Sequence, residues 1–505
     1  MNVFDLLIPK LGKLVKQRFE EPTLAQEKVF KKIIDDENVL VIAPTGIGKT
    51  EAVMLPIFNK LLEKKHKPIS ILYLTPMRSL NRNMLDRLYW WCDKLDLEVA
   101  VRHGDTTQAE RSAQREIPPH LLVTTPETLG AILPGKVMRE HLKNVKYVIV
   151  DEIHELIESK RGVQLSVILE RLEKLSGPFQ RIGLSATVGS PERVADFLSR
   201  KTRIVVAEAK KNYELKVELP LPTDRDKKIA DELFVGESTT ARLHRIRELI
   251  NKHQSVLTFT NTRETAEVIS SRFRAIDKEL RQEVHHGSLS KEARIKSEKD
   301  FKEQKLKALI CTSSLELGID IGSIDFVIQY LSPRQVSRLI QRIGRSGHGV
   351  GRVSSGILLT DEEDAFESTV IARKALNSEL EEIKVHEMAL DVLAHQTVGM
   401  VLDEYELSAN SVFETVKKSY PFRNMEKEKF HELLKFLSQL RLLWVNPVYR
   451  EGTLEILDYK LRRNRQGWQY YYENLSTIAD VRRIRVVSIV EGEPIGYLDE
   501  SFAAE

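Results

Sequence analysis

Short apolar runs recur along the first two-thirds of the chain, separated by stretches in which apolar residues fall at helical spacing. From residue 39 to 206 the strand-like runs are 39–42, 69–74, 121–124, 147–150, 182–185 and 204–206. The stretch 49–64 shows what lies between them. Val53, Ile57 and Leu61 recur every fourth residue, as do Met54, Phe58 and Leu62, so the spacing predicts a helix with a wide buried face. Strands alternating with helices predict a parallel sheet covered by helices. Residues 207–240 break the rhythm. One more strand fits within 210–220, and Pro220, Pro222 and the charged run 224–228 predict a linker and surface excursion. The alternation resumes at 255–260 and continues with 283–286, 308–312, 326–330 and 356–360, giving a second α/β half of domain size.

Beyond about residue 376 the pattern changes. Residues 389–401 and 427–440 read as amphipathic helices, and 442–445 and 453–457 as short strands. Helices followed by a small hairpin suggest a winged-helix-like module. The last stretch holds two strand-like runs, 485–490 and 495–498, joined at 491–494. The expected division is 1–208, 209–376, 377–475 and 476–505.

Composition narrows the class. A length of 505 residues fits about three domains. With 42% hydrophobic and 30% charged residues the chain is an ordinary globular one, and no apolar run approaches a membrane span. Lys10, Lys13 and Lys16 interrupt the apolar N-terminus, which reads as an amphipathic helix on the first domain and not as a signal peptide. Cys92 and Cys311 are the only cysteines, far apart, as expected of a reducing, cytoplasmic setting. A net charge of +3 is too small to identify a partner.

The candidate chemistry starts at 43–51, which reads APTGIGKTE between a strand and a helix. In a P-loop the backbone N–H groups converge on a polyphosphate at the helix N-terminus. Gly46 and Gly48 permit the tight turn, Lys49 offers a charge to the β/γ oxygens, and Thr50 offers a hydroxyl to Mg²⁺. Thr45, Ile47 and Glu51 complete the candidate loop; Ala43 stands where the pattern has glycine. About a hundred residues later Asp151-Glu152-Ile153-His154 follows a strand. Acidic residues there face the crevice where ligands of parallel sheets bind. Asp151 is placed to hold Mg²⁺ and Glu152 to take a proton from an attacking water.

These stretches, with Ser185-Ala186-Thr187 and the QRIGRSGH run at 341–348, resemble motifs I, II, III and VI of superfamily 2 helicases, in order. RHGDT at 102–106, VTTPETL at 123–129, DEIHELIESKRG at 151–162, SPRQVSRLIQRIGRSGH at 332–348, LDVLAHQTVGM at 390–400 and YYYENLSTIADVRRIRVV at 470–487 resemble the large helicase-related (Lhr) family within it, archaeal-type. The resemblance spans nearly the whole chain. It implies an α/β protein of two tandem RecA-like domains, then a winged-helix-like domain and a short β element. ATP and Mg²⁺ are the implied cofactors.

Arg342 and Arg345 lie three apart, so both can face one way on a helix, and guanidinium groups suit phosphate oxygens. They lie in the half without a P-loop, and an ATP touched by both halves would close them together. By resemblance Gln341 senses the γ-phosphate or attacking water. The same likeness makes Gln26 the adenine reader, Asp320 a ribose neighbour, and His154, Ser185 and Thr187 the coupling residues. Thr75, Arg78, Thr125 and Glu127 in the first half, and Thr260, Asn261, Arg263, Thr312 and Ser313 in the second, follow strands. Hydroxyls, amides and Arg at loop starts suit phosphate contacts, which position a strand without reading its sequence. His103, His285 and His286 have no ligand-spaced neighbours and read as loop histidines. The cluster Lys460, Arg462, Arg463 and Arg465 beside Trp468, Tyr470, Tyr471 and Tyr472 suits either single-strand stacking or packing of the third domain on the motor.

The resemblance implies an ATP-dependent helicase or translocase, a monomer moving 3′ to 5′ on single-stranded DNA. Forked DNA and RNA–DNA hybrids are the further expected partners, and DNA repair or recombination the setting. Rival readings are an annealing or protein-displacing ATPase, a small-molecule phosphotransferase and a non-hydrolysing scaffold; intact Lys49, Glu152 and Arg345 argue against the last. Lhr-like proteins generally continue into a further domain. The chain is therefore expected to be truncated or a short variant, its terminal strands folded back or poorly ordered.

Overall fold

The computed structural model describes residues 2–44, 47–76, 82–207, 212–316, 321–347 and 353–476, except the side chains of Arg82 and Leu233. It also describes the backbone of Arg483–Val487 and Pro494–Asp499. The chain divides into two units, Met1–Ala207 with Glu382–Asp480, and Glu208–Glu381 with Val481–Glu505.

The first unit is built on seven strands: β1 Asn38–Ile42, β2 Ile71–Leu74, β3 Val99–Arg102, β4 Leu121–Thr124, β5 Tyr147–Val150, β6 Gln180–Ser185 and β7 Thr202–Val206. They run in the order β3-β4-β2-β5-β6-β1-β7, and every pair is parallel. β2, β4 and β5 are buried along their whole length. Strands covered on both faces read as unbroken apolar runs, which is why these were legible. β3, with sequence VAVR, lies half-exposed at the sheet edge, and its short apolar run 99–101 was not read as a strand.

The second unit holds β8 Tyr213–Glu218, β9 Val256–Phe259, β10 Gln282–His285, β11 Ala308–Cys311, β12 Phe326–Tyr330 and β13 Ser354–Leu359. The order is β10-β11-β9-β12-β13-β8, again parallel throughout. β8 is therefore an edge strand of this sheet. The charged run 224–228 is not a linker but the start of a helix, Asp224–Leu233. Thr223 accepts from Asp226 N and Asp226 reaches back to Thr223 N, a capping box that the two prolines upstream obscured.

Helices Leu390–Glu404, Ala409–Lys418 and Lys427–Gln439 pack with a small antiparallel sheet of β14 Glu406–Ser408, β15 Leu443–Tyr449 and β16 Ile456–Arg463. This winged-helix module docks on helix Lys160–Ser176 of the first α/β domain. Buried Arg171 donates to both Asp403 oxygens at 3.0 and 2.9 Å, to Gln396 Oε1 at 2.7 Å and to the Tyr471 hydroxyl at 3.0 Å. Tyr471 in turn donates to Gly130 O at 2.8 Å. Glycine is required at 399, where a Cβ would lie 2.4 Å from the Tyr471 ring. Tyr471 and Tyr472 thus pack the third domain, while Lys460 and Arg462 pair with Glu406; Trp468 stays 46% exposed. Among the described residues no helix is long and apolar enough to cross a membrane. At the C-terminal end β17 Arg483–Val487 and β18 Pro494–Asp499 pair antiparallel.

Candidate nucleotide and nucleic-acid sites

Three neighbouring strands, β5, β6 and β1, end together, and the chemistry sits just beyond them. Gly48 takes a left-handed φ of 79° and opens helix Lys49–Lys64, a turn that any Cβ would strain. Lys49 is 8% exposed, with Nζ 3.3 Å from Ser185 O at the end of β6 and 3.9 Å from Glu152 Oε1 beyond β5. Thr45 and Gly46 lie outside the described residues; Ile47 and Thr50 are half-buried. Glu51 is held by Arg87, whose Nε donates to Oε1 at 2.6 Å, a partner the sequence did not reveal.

Asp151 receives one hydrogen bond on each oxygen, from Glu152 N at 3.0 Å and from the Tyr73 hydroxyl at 2.7 Å. Burial, and then the Glu152 carboxylate, push its pKa up to about 6. Tyr73 was missed because it reads as one more apolar residue of β2. Glu152 has φ 45°, an unusual conformation for a side-chain-bearing residue, and caps helix Ile153–Ile157. His154 Nδ1 lies 3.2 Å from Ser185 Oγ and accepts from Ala186 N at 3.4 Å; Nε2 lies 3.4 Å from Glu155. Burial brings its pKa down to about 4, so the ring is neutral near pH 7 and links β5 to β6 by hydrogen bonding. Thr187 is half-buried two residues past β6.

Gln26 is fully buried in a capping box, Oε1 accepting from Thr23 N at 2.8 Å. Its Nε2 has no hydrogen-bond partner and would lie 3.9 Å from a Cβ at Gly48, beside the loop. A buried amide donor without a partner is costly. It fits an adenine edge, where Nε2 would meet N7 while Oε1 keeps a lone pair for N6. Asp151 and Thr50 likewise fit a hard cation held through oxygen, with phosphates and waters completing the shell. The group would supply charge neutralisation on the phosphates.

In the second unit the ends of β11, β9 and β12 carry a network around Arg342, which is 1% exposed. Its Nε donates to Glu316 at 2.6 Å and Nη1 to Gln329 at 2.7 Å and Asn261 Oδ1 at 3.3 Å. Arg345 is buried too and donates through Nη2 to Glu316 O at 2.6 Å. Helix Val336–Ile343 ends before Arg345, so the two do not share one helix face; both instead meet Glu316. Glu316 and Gln329 were not singled out in the sequence, although Glu316 lies four residues before Asp320 in the run SSLELGIDIG at 313–322. Gln341 is half-buried, and Asp320 lies outside the described residues.

Among the described candidate nucleic-acid residues, Thr75, Thr125, Thr260 and Thr312 directly follow strands, and Glu127, Arg263 and Ser313 lie in the first turns of the helices beyond. Thr75 is buried, and its N–H bonds Thr124 O. Thr125 caps helix Pro126–Ile132. Arg161, not foreseen, grips Glu127 at 2.5 and 3.1 Å. Thr260 is fully buried and spends its hydroxyl on Thr262 O; Asn261 Nδ2 donates to Ser332 O, and Arg263 Nη1 to Ser288 Oγ at 2.8 Å. Thr312 is half-buried and Ser313 exposed. Arg78 lies outside the described residues. His285 faces Glu298 and Ser314, His286 faces Glu267, and no metal-binding cluster occurs among the described residues.

Profiles of three families match along the chain: DEAD/DEAH box helicase at 23–196, helicase conserved C-terminal domain at 241–349, and the winged-helix domain of large helicase-related proteins at 373–505. An ATP-dependent helicase Lhr-Core protein 2 of Thermococcus barophilus is 36% identical over 99% of this chain and 61% of its own length. The chain belongs to the large helicase-related family. An Lhr-Core helicase of Methanothermobacter thermautotrophicus matches at 37% over the same shares. Lhr of Mycobacterium smegmatis, solved bound to ssDNA and AMP-PNP, superposes with a TM-score of 0.80 at 33% identity, over 97% of this chain and 64% of that one. This Lhr chain therefore spans about three-fifths of the length of the curated relatives it matches. Its winged-helix profile takes in helix Leu390–Glu404, and with it Asp403 and Gln396, the partners of Arg171.

Proposed function

We propose that this Lhr chain hydrolyses ATP with Mg²⁺ to drive movement along single-stranded DNA, 3′ to 5′, separating DNA duplexes or RNA–DNA hybrids in DNA repair or recombination. The observation that carries the reading is the meeting of Lys49, Asp151, Glu152 and the His154–Ser185 pair at three adjacent strand ends. In it Lys49 holds the phosphates, Asp151 and Thr50 face the cation, and Glu152 takes the proton of the attacking water. His154 couples this chemistry to β6, and Arg342 and Arg345 serve the same hydrolysis. The names of the relatives, and the ssDNA bound to the mycobacterial Lhr, support the choice of substrate. The test is strand separation by fluorescence on forks with a 3′ or a 5′ tail. ATP-dependent opening of the 3′-tailed fork alone is expected; opening of the 5′-tailed fork, or annealing only, contradicts the reading.

Two outcomes follow directly. Gln26→Ala is expected to weaken ATP binding by about 10- to 100-fold, the value of roughly 1–3 kcal/mol for a bidentate base contact, while leaving GTP binding unchanged. Competition binding with the two nucleotides checks this; equal loss for both refutes the adenine role. Affinity for single strands is expected to fall with salt, with a slope near −0.7 per phosphate neutralised, and to be nearly independent of base sequence. Anisotropy titrations across a salt series measure it, and a flat salt response contradicts phosphate-led binding.

A further inference from the structure

We propose that Tyr73 is the positioning residue of the metal-facing edge, its hydroxyl fixing the orientation of the Asp151 carboxylate. The inference rests on the ATP–Mg²⁺ reading above. Tyr73 is fully buried in β2, a strand otherwise made of Ile71, Leu72 and Leu74. A buried phenol needs a polar partner, and this one donates to Asp151 Oδ2 at 2.7 Å. The Asp151 backbone is fixed as well, its N–H bonding Leu74 O at 2.8 Å, and Glu152 N holds Oδ1 at 3.0 Å.

The consequence is geometric. With one donor on each oxygen the carboxylate plane cannot turn, and each oxygen keeps a lone pair for a cation or its water. The carboxylate assigned to the metal is thus registered on one atom of a neighbouring strand. Phenylalanine at 73 keeps the ring and its packing but leaves Oδ2 without its donor and frees the carboxylate to rotate. Outer-shell losses of this kind typically cost 10- to 100-fold in metal affinity.

The experiment uses the full chain carrying Glu152→Gln, so that nucleotide is bound without turnover. A fluorescent ATP analogue is titrated with Mg²⁺, and separately in EDTA, with and without Tyr73→Phe. The expected result is an apparent Mg²⁺ dissociation constant raised about 10- to 100-fold, with analogue affinity in EDTA unchanged. An unaltered Mg²⁺ dependence overturns the proposal. Loss of analogue binding in EDTA overturns it too, because Tyr73 would then act through packing alone. If the Tyr73 parent itself binds the analogue without any dependence on Mg²⁺, the ATP–Mg²⁺ reading fails and takes this one with it.

Discussion

Arg345→Ala is expected to lower nucleic-acid-stimulated ATP turnover by about 10³- to 10⁵-fold, the range associated with an arginine that stabilises charge on a transferring phosphoryl group. ATP binding should be spared, because Lys49, Gln26 and the loop belong to the other unit. The substitution also removes the donor to Glu316 O, and an unpaired buried carbonyl costs roughly 1–3 kcal/mol. A melting curve and nucleotide binding should therefore be measured beside the rate. Arg345→Lys is expected to rescue little, since an ammonium cannot reproduce the planar fork of donors. Turnover unchanged in a folded Arg345→Ala chain removes the residue from the chemistry.

Glu152→Gln is expected to reduce hydrolysis by about 10²- to 10⁴-fold, the worth of a positioned general base, with ATP and single-strand binding nearly intact. The swap keeps shape, and the backbone N–H that holds Asp151 is untouched. It removes a negative charge 3.9 Å from Lys49 Nζ, which favours retention of a polyphosphate. Pre-steady-state measurement of phosphate release against nucleotide binding separates the two effects. A wild-type rate would show that another group takes the proton.

The two domains and most of their strands were legible because buried parallel strands are continuous apolar runs, as in 147–150 and 121–124, and because Gly48 and Lys49 sit where such a run meets a helical period. β3 escaped although Val99, Ala100 and Val101 form an apolar run as short as that of the other edge strand, β7. Helix Asp224–Leu233 escaped because its first turn is all charge, and its capping box lies just past Pro220 and Pro222. The winged-helix module was legible as an element pattern, but its docking was not: Arg171 and Asp403 are 232 residues apart and meet only in the fold. The same holds at the site. Lys49, Asp151 and Glu152 announce themselves by local pattern. Tyr73, Arg87, Arg161, and Glu316 with Gln329 act as partners of Asp151, Glu51, Glu127 and Arg342 respectively, and such partnership between distant segments has no local signature. The arginines also show the limit of spacing. Arg342 and Arg345 meet through Glu316 on another segment, and not along one helix.

Coupling of ATP hydrolysis to nucleic acid underlies every role proposed for these residues. Its most direct test is the rate of ATP turnover with and without single-stranded DNA, with Lys49→Ala as the blank. Turnover is expected to be low alone, to rise with DNA, and to vanish in the blank. Turnover that ignores nucleic acid, or that survives in Lys49→Ala, would contradict it.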